Sequence, residues 1–150
     1  MEVTLKDVQA QPVLYVRTRT SLDRLPQVIG ESYHKIANYM QGLGEKPAGV
    51  PYTAYHNLDT RDMDVEMCFP VSNPLPGREE IKGGELAAGR VAAAMYKGPY
   101  AAMEAIYSEI FRWLAERGHQ AKGVYYEYYY NSPQDVPESE LLTEIVIPLK

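Results

Sequence analysis

Glutamate and tyrosine side chains occur at matching places in the two halves of the sequence, and their types suggest binding chemistry. The ring face of a tyrosine attracts a cation by about 0.5–2 kcal/mol, and a partly buried carboxylate adds Coulomb attraction. Such a set favours a lipophilic cation or a flat aromatic molecule as the ligand. The strand pattern described below predicts that six of these residues share one face of a sheet: Tyr55, Glu66, Tyr125, Glu127, Tyr129 and Glu144.

Two of the glutamates could instead carry out catalysis. Carboxylates in unequal surroundings can divide the roles of general acid and general base, so Glu127 and Glu144 are the catalytic candidates if the protein is an enzyme. Cys68 has no histidine paired with it in the pattern, which favours an inert structural thiol. The three scattered histidines and this cysteine show no metal-ligand spacing, so neither a metal nor another cofactor is expected.

The candidate residues belong to segments that occur twice. Residues 49–57 and 123–131 share five of nine positions at an offset of 74, and residues 65–71 match 143–149 at an offset of 78. Two segments repeated in the same order indicate a duplicated unit, about 3–72 and about 85–149, within a single domain of residues 1–150. Two copies are too few for a solenoid, which favours a pair related by a pseudo-dyad. The copies differ at one informative position, since Thr53 stands where Glu127 stands.

Each half is predicted to contain a strand, a helix and two further strands. Residues 25–43 and the segment that ends near Arg117 repeat apolar side chains at three- and four-residue steps, as amphipathic helices do, and Gly118 closes the second helix. The predicted strands lie at about 3–19, 50–58, 63–71, 88–97, 122–131 and 140–149. Each helix should cover one face of an antiparallel sheet, which gives an α+β fold.

Alternation along the strands assigns side chains to faces. The apolar residues of 65–69 and 143–147 are expected under the helices, which leaves Glu66 and Glu144 on the face without helices. We also assign Val50, Tyr52 and Ala54, with their counterparts in the second half, to the helix side. The tyrosines between them and Glu127 then join the two glutamates, and an acidic, aromatic cleft between the halves is predicted.

The composition of the chain argues against several classes of partner. A net charge of −5 speaks against direct nucleic-acid binding, which needs a basic surface. No apolar run is long enough to span a bilayer, and the first six residues lack the apolar core of a signal peptide, so no membrane association is expected. A single cysteine excludes an internal disulfide and favours a reducing, cytoplasmic location.

Four short motifs occur in an order and spacing that resemble a known family. They are Lys97-Gly98-Pro99-Tyr100, Trp113-Leu114, Glu127-x-Tyr129-x-Asn131-x-Pro133 and Thr143-Glu144-Ile145-x-Ile147-Pro148. The chain resembles the GyrI-like small-molecule-binding domain, which is the effector-binding domain of bacterial transcription regulators and is related to the SOUL haem-binding fold. The resemblance covers nearly the whole chain and is strongest from 85 to 149. It implies tandem strand-helix-strand-strand units with a ligand cleft at the pseudo-dyad.

The resemblance also implies a function. In such domains a glutamate and several aromatic residues engage hydrophobic, often cationic, compounds; here the motifs map them to Glu127, Tyr129 and Glu144, and the internal repeat adds Tyr55 and Glu66. The sequence shows no helix-turn-helix region and no axial histidine, so a stand-alone member without haem is expected. We predict a sensor or scavenger of drugs or toxins. The alternatives are a hydrolase that opens the cyclopropane of DNA-alkylating compounds and a gyrase-inhibitor-like protein that acts on a protein partner.

Overall fold

A computed structural model describes residues 2–150. In chain order its elements are β1 (Val3–Val8), β2 (Gln11–Thr20), α1 (Leu25–Gly42), β3 (Tyr52–Tyr55), β4 (Met63–Pro70), β5 (Lys82–Leu86), β6 (Gly89–Lys97), α2 (Met103–Glu116), β7 (Tyr125–Tyr129) and β8 (Leu142–Pro148). They form two compact units. We call residues up to Val8 together with Gly89–Lys150 the terminal unit, and Gln9–Ala88 the internal unit.

The terminal unit is a four-stranded antiparallel sheet covered on one face by α2. The strand order is β1-β6-β8-β7. We call the face under α2 the helix face, and its buried core consists of Ala92, Ala94, Met103, Ile110, Leu114, Ile145, Ile147 and Leu149. A smaller apolar cluster around Val91, Ala93 and Val146 lies on the opposite face. Burying each large aliphatic side chain contributes about 1.5–3 kcal/mol, so the cluster on the helix face holds α2 on the sheet.

The internal unit has the same plan. Its antiparallel strands are ordered β3-β4-β2-β5, and α1 covers one face. The ring of Tyr33 on α1 lies 5.3 Å from that of Phe69 on β4 in an edge-to-face contact. Leu14, Val65 and Met67 are each 0% exposed. These contacts define the helix face of this unit.

The α+β class, the antiparallel sheets and both helices agree with the sequence prediction. The second helix ends at Glu116, and Gly118 follows it with a φ of 74°, a conformation that glycine adopts without a steric penalty. No helix within residues 2–150 is long and apolar enough to cross a membrane.

The predicted repeat differs from the structure at its first strand. Residues 3–19 form two strands rather than one, and β1 pairs with β6 of the terminal unit. The segment predicted as a linker contains β5, which pairs with β2. The sequence pattern did not predict β5 because it contains Gly83 and Gly84, and glycine has a low strand propensity. Both are needed for close packing, since a Cβ on Gly84 would lie 2.9 Å from the ring of Tyr15, and one on Gly83 would lie 2.4 Å from the carbonyl oxygen of Leu75.

Candidate functional site

The register of β7 and β8 determines which candidate residues share a face. Glu127 lies opposite Ile145, and Tyr129 lies opposite Thr143. Directly opposed residues of an antiparallel pair point to the same side, so Glu127 and Tyr129 lie on the helix face. Glu144 lies opposite Tyr128 and belongs to the other face. The prediction that Glu127, Tyr129 and Glu144 share one face is therefore wrong.

The same correction applies to the internal unit. Tyr55 lies opposite Val65, and Glu66 lies opposite Ala54. Tyr55 is therefore on the helix face with the apolar residues, while Glu66 is on the opposite face. The prediction that Tyr55 joins Glu66 on the face without helices is wrong, and so is the assignment of Ala54 to the helix side.

The sequence pattern assigned the side chains of β3 and β7 to the wrong faces of their sheets for a physical reason. Tyrosine has an apolar ring and a polar hydroxyl, so it is compatible with either face of a sheet. Four of the five residues of β7 are tyrosines, and they occupy both faces. The alternation of apolar and polar side chains therefore does not distinguish the two faces of β7. The register of β7 against β8 decides the faces instead.

Glu127 is the charged residue at the centre of the terminal unit's candidate site. It is 9% exposed, and two tyrosine hydroxyls donate hydrogen bonds to its carboxylate. The hydroxyl of Tyr107 on α2 lies 2.6 Å from Oε2, and that of Tyr129 lies 2.9 Å from Oε1. Hydrogen bonds to an ionised acceptor are shorter and stronger than neutral ones. The helix and the strand thus hold the carboxylate in one orientation.

Aromatic rings surround this carboxylate. Tyr125 packs edge-to-face against Tyr107 and Phe111 at centroid distances of 6.1 and 5.5 Å. Tyr100, at the start of a short 3-10 turn before α2, packs against Tyr129 at 6.0 Å. We call this set the Glu127 cluster: Tyr100, Tyr107, Phe111, Tyr125, Glu127 and Tyr129.

Tyr100 connects the cluster to its accessible side. Its side chain is one of the more exposed large aromatic groups, at 40%. Burial of its hydroxyl and the negative charge of Glu127 both raise the pKa of Tyr100. The phenol therefore stays protonated at neutral pH, and the field of Glu127 extends to a ring that solvent reaches.

Sequence reasoning missed three members of the cluster: Tyr100, Tyr107 and Phe111. The apolar pattern of its helix includes Tyr107 and predicts core packing for it, but the internal repeat carries a signal for its contact with Glu127. Tyr33 and Tyr107 are separated by 74 positions, as are Thr53 and Glu127. The hydroxyls of Tyr33 and Thr53 lie 2.9 Å apart, so the helix tyrosine contacts the matching strand residue in both units.

The two glutamates on the opposite faces have basic partners. Glu66 lies 2.5 Å from Nε2 of His56 and 3.7 Å from the Arg17 guanidinium. Glu144 lies 3.2 Å from Nζ of Lys6 and accepts a hydrogen bond of 3.2 Å from the hydroxyl of Tyr130. Because each carboxylate has a cationic neighbour within 4 Å, its attraction for a further cation is reduced.

Cys68 is a buried thiol on the opposite face of the internal unit, in agreement with the structural role predicted for it. It is 1% exposed, and burial together with the nearby Glu66 raises the pKa of the thiol well above its ordinary value. The thiolate is the reactive form of cysteine. We expect no labelling by Ellman's reagent in the folded protein, and labelling of one thiol per chain after unfolding in guanidinium chloride. Rapid labelling without denaturant would contradict this burial.

Comparison with known proteins identifies the fold and the family. The family model of the GyrI-like small-molecule-binding domain matches residues 1–150. The chain belongs to the GyrI-like family. It is therefore a small-molecule-binding domain, homologous to the effector domains of transcription regulators. No curated protein matches the sequence.

Several solved structures share this GyrI-like fold. The transcription regulator EcmrR, solved by cryo-EM in a DNA complex, superimposes with a TM-score of 0.87 at 20% identity over 99% of this chain. The chain spans 57% of that regulator. A protein described as a hydrolase from Listeria innocua gives a TM-score of 0.70 at 14% identity, with 99% and 92% of the two chains covered. SAV2435, solved with tetraphenylphosphonium, gives 0.67 at 14%, with 100% and 94% covered.

Proposed function

We propose that this GyrI-like chain binds lipophilic aromatic cations at the Glu127 cluster. The observation that carries the proposal is the exchange of Thr53 for Glu127 at corresponding positions of the two units, each in contact with a helix tyrosine. In the internal unit a neutral hydroxyl meets the helix tyrosine at 2.9 Å, whereas in the terminal unit a carboxylate does so at 2.6 Å. The duplicated frame therefore forms without a charge at this position.

Retaining a buried carboxylate is costly unless the charge has a use. Desolvation of an ion costs several kcal/mol, and hydrogen bonds such as those from the two tyrosine hydroxyls offset part of it. A cationic ligand would add Coulomb attraction to Glu127 in surroundings where water is scarce. We therefore assign the negative charge to ligand binding rather than to folding.

The aromatic rings of the cluster suit the apolar part of such a ligand. Each ring adds a cation–π attraction of about 0.5–2 kcal/mol. Together with the Coulomb attraction of Glu127, a few such contacts are expected to give micromolar affinity, near −8 kcal/mol. The structure of SAV2435 with tetraphenylphosphonium supports this choice, because a protein of the same fold binds a bulky aromatic cation. We propose the same ligand class here.

Hydrolysis receives weaker support. A general acid and a general base must approach the same bond, yet Glu127 and Glu144 lie on opposite faces of the β7–β8 pair. An enzyme built on this chain would have to use Glu127 with the tyrosine hydroxyls instead. The likeness to the Listeria hydrolase concerns the fold. Action on a protein partner stays a prediction.

Isothermal titration with a pair of isosteric ions tests the proposed function. Tetraphenylphosphonium and tetraphenylborate have similar size and shape but opposite charge. We expect saturable binding of the cation with about micromolar affinity and weaker binding of the anion by at least about tenfold, because Glu127 attracts one and repels the other. Equal affinities, or no binding of the cation, would overturn the proposal.

A further inference from the structure

The hydroxyl of Thr143 is a buried polar group that does not belong to the Glu127 cluster. Thr143 is 0% exposed, and its Oγ1 has no hydrogen-bond partner among residues 2–150. A buried hydroxyl without a partner destabilises a protein relative to an apolar group of the same shape. The position of Thr143 therefore calls for a physical explanation.

Thr143 lies beside the Glu127 cluster on the helix face. It is directly opposite Tyr129 on β7 and Tyr96 on β6. Glu127 is two residues from Tyr129, so Glu127 and Thr143 are diagonal neighbours, about 7–8 Å apart. A ligand held by the carboxylate is thus within reach of the threonine hydroxyl through a short substituent.

The hydroxyls of the two neighbouring tyrosines donate elsewhere. Tyr129 donates to Glu127 at 2.9 Å, and Tyr96 donates to the carbonyl oxygen of Pro99 at 2.8 Å. Gly98 makes the second contact possible, because a Cβ at that position would lie 2.7 Å from the Tyr96 hydroxyl. A tyrosine hydroxyl has one proton, so in this arrangement neither ring donates to Thr143.

The internal unit shows that packing does not require a hydroxyl at this point. At the offset of 78, the counterpart of Thr143 is Val65, which is also 0% exposed. Val65 lies opposite Tyr55 and Thr18, as Thr143 lies opposite Tyr129 and Tyr96. Valine has the shape of threonine without its polar group. At this site Thr143 therefore stands where the internal unit has Val65, and Glu127 stands where it has Thr53, so the residue of the terminal unit is the more polar one at both positions.

We infer that Thr143 determines specificity by bonding a hydroxyl or N–H substituent of the aromatic cation that Glu127 binds. The inference rests on the proposed function and narrows its ligand class to aromatic cations with a short hydrogen-bonding arm. The threonine hydroxyl can donate to the arm or accept from it.

Two phosphonium ions that differ in one group test this assignment. The probes are (3-hydroxypropyl)triphenylphosphonium and butyltriphenylphosphonium, in which a hydroxyl replaces a methyl group. The measured quantity is the ratio of their dissociation constants by isothermal titration. We expect the wild-type protein to favour the hydroxyl probe by about three- to tenfold, the usual net value of one hydrogen bond. Thr143→Val should bring the ratio to one or below, because the hydroxyl of the probe would then be buried without a partner, and Thr143→Ser should keep it above one.

Two further measurements separate the alternative outcomes. Thr143→Val should keep or raise the thermal midpoint, whereas Thr53→Val, which removes a hydroxyl bonded to Tyr33, should lower it. A lower midpoint for Thr143→Val would mean that the hydroxyl has an internal partner, such as a trapped water, and would overturn the inference. If both probes bind but wild type and Thr143→Val give the same ratio, the Thr143 assignment fails and the proposed function stands. If neither probe binds, both fail.

Discussion

Glu127→Gln is expected to weaken binding of tetraphenylphosphonium by roughly 10- to 100-fold, or about 1.4–2.8 kcal/mol. The substitution keeps the shape of the side chain and removes the negative charge that the cation would pair with in a site of low dielectric constant. Glutamine can still accept a hydrogen bond from Tyr107 or Tyr129, so the fold should be retained. Titration of the folded variant measures the effect, and a thermal midpoint close to that of wild type confirms that folding is preserved.

Glu144→Gln is the matched control, because it makes the same chemical change on the opposite face of the same sheet. Glu144 has Lys6 at 3.2 Å, and ion pairs of this exposed kind contribute little. We expect tetraphenylphosphonium affinity within about twofold of wild type. An equal loss in both variants would show that charge near the sheet matters without regard to face. A loss in Glu144→Gln alone would move the site to the face that the sequence pattern favours.

Tyr107→Phe is expected to lower the free energy of unfolding by about 1.5–3 kcal/mol, because it removes a donor to a buried carboxylate. The matching substitution in the other repeat, Tyr33→Phe, removes a contact between two neutral hydroxyls and should cost about 0.5–1.5 kcal/mol. Both changes remove the hydroxyl oxygen of a tyrosine, at corresponding positions of α1 and α2. Urea denaturation of the three proteins gives the two differences.

Comparing the loss of unfolding free energy in these two variants tests whether the charge of Glu127, rather than the packing of the tyrosine, determines the effect. If Tyr33→Phe costs as much as Tyr107→Phe, the hydroxyl of Tyr107 contributes through its packing position and not through the charge of Glu127. Tyr107→Phe should also leave the carboxylate less well oriented and weaken tetraphenylphosphonium binding. Tyr33→Phe provides the comparison for that measurement as well.

The amino-acid sequence alone determined both helices, most of the strands and the duplication. Apolar residues at three- and four-residue steps predicted both helices, and a helix pattern of this length is hard to mistake because many positions agree. The offset of 74 aligns Thr53 with Glu127 without any knowledge of contacts. Amphipathicity and repetition are local properties of the chain, so they can be read from it directly.

Only the tertiary structure decided which side chains meet. Glu127 and Glu144 are assigned to opposite faces by the pairing of β7 with β8, and a shift of one residue in that register would exchange the faces. Tyrosine suits both faces, so the composition of β7 could not reveal the register. The partners of β1 and β5 were hidden for a related reason, since strand pairing is a long-range contact whose partner is not encoded in the short strand itself. The contact of Tyr107 with Glu127 depends on how α2 packs over the sheet. The periodicity of the sequence predicts the helix but not this packing.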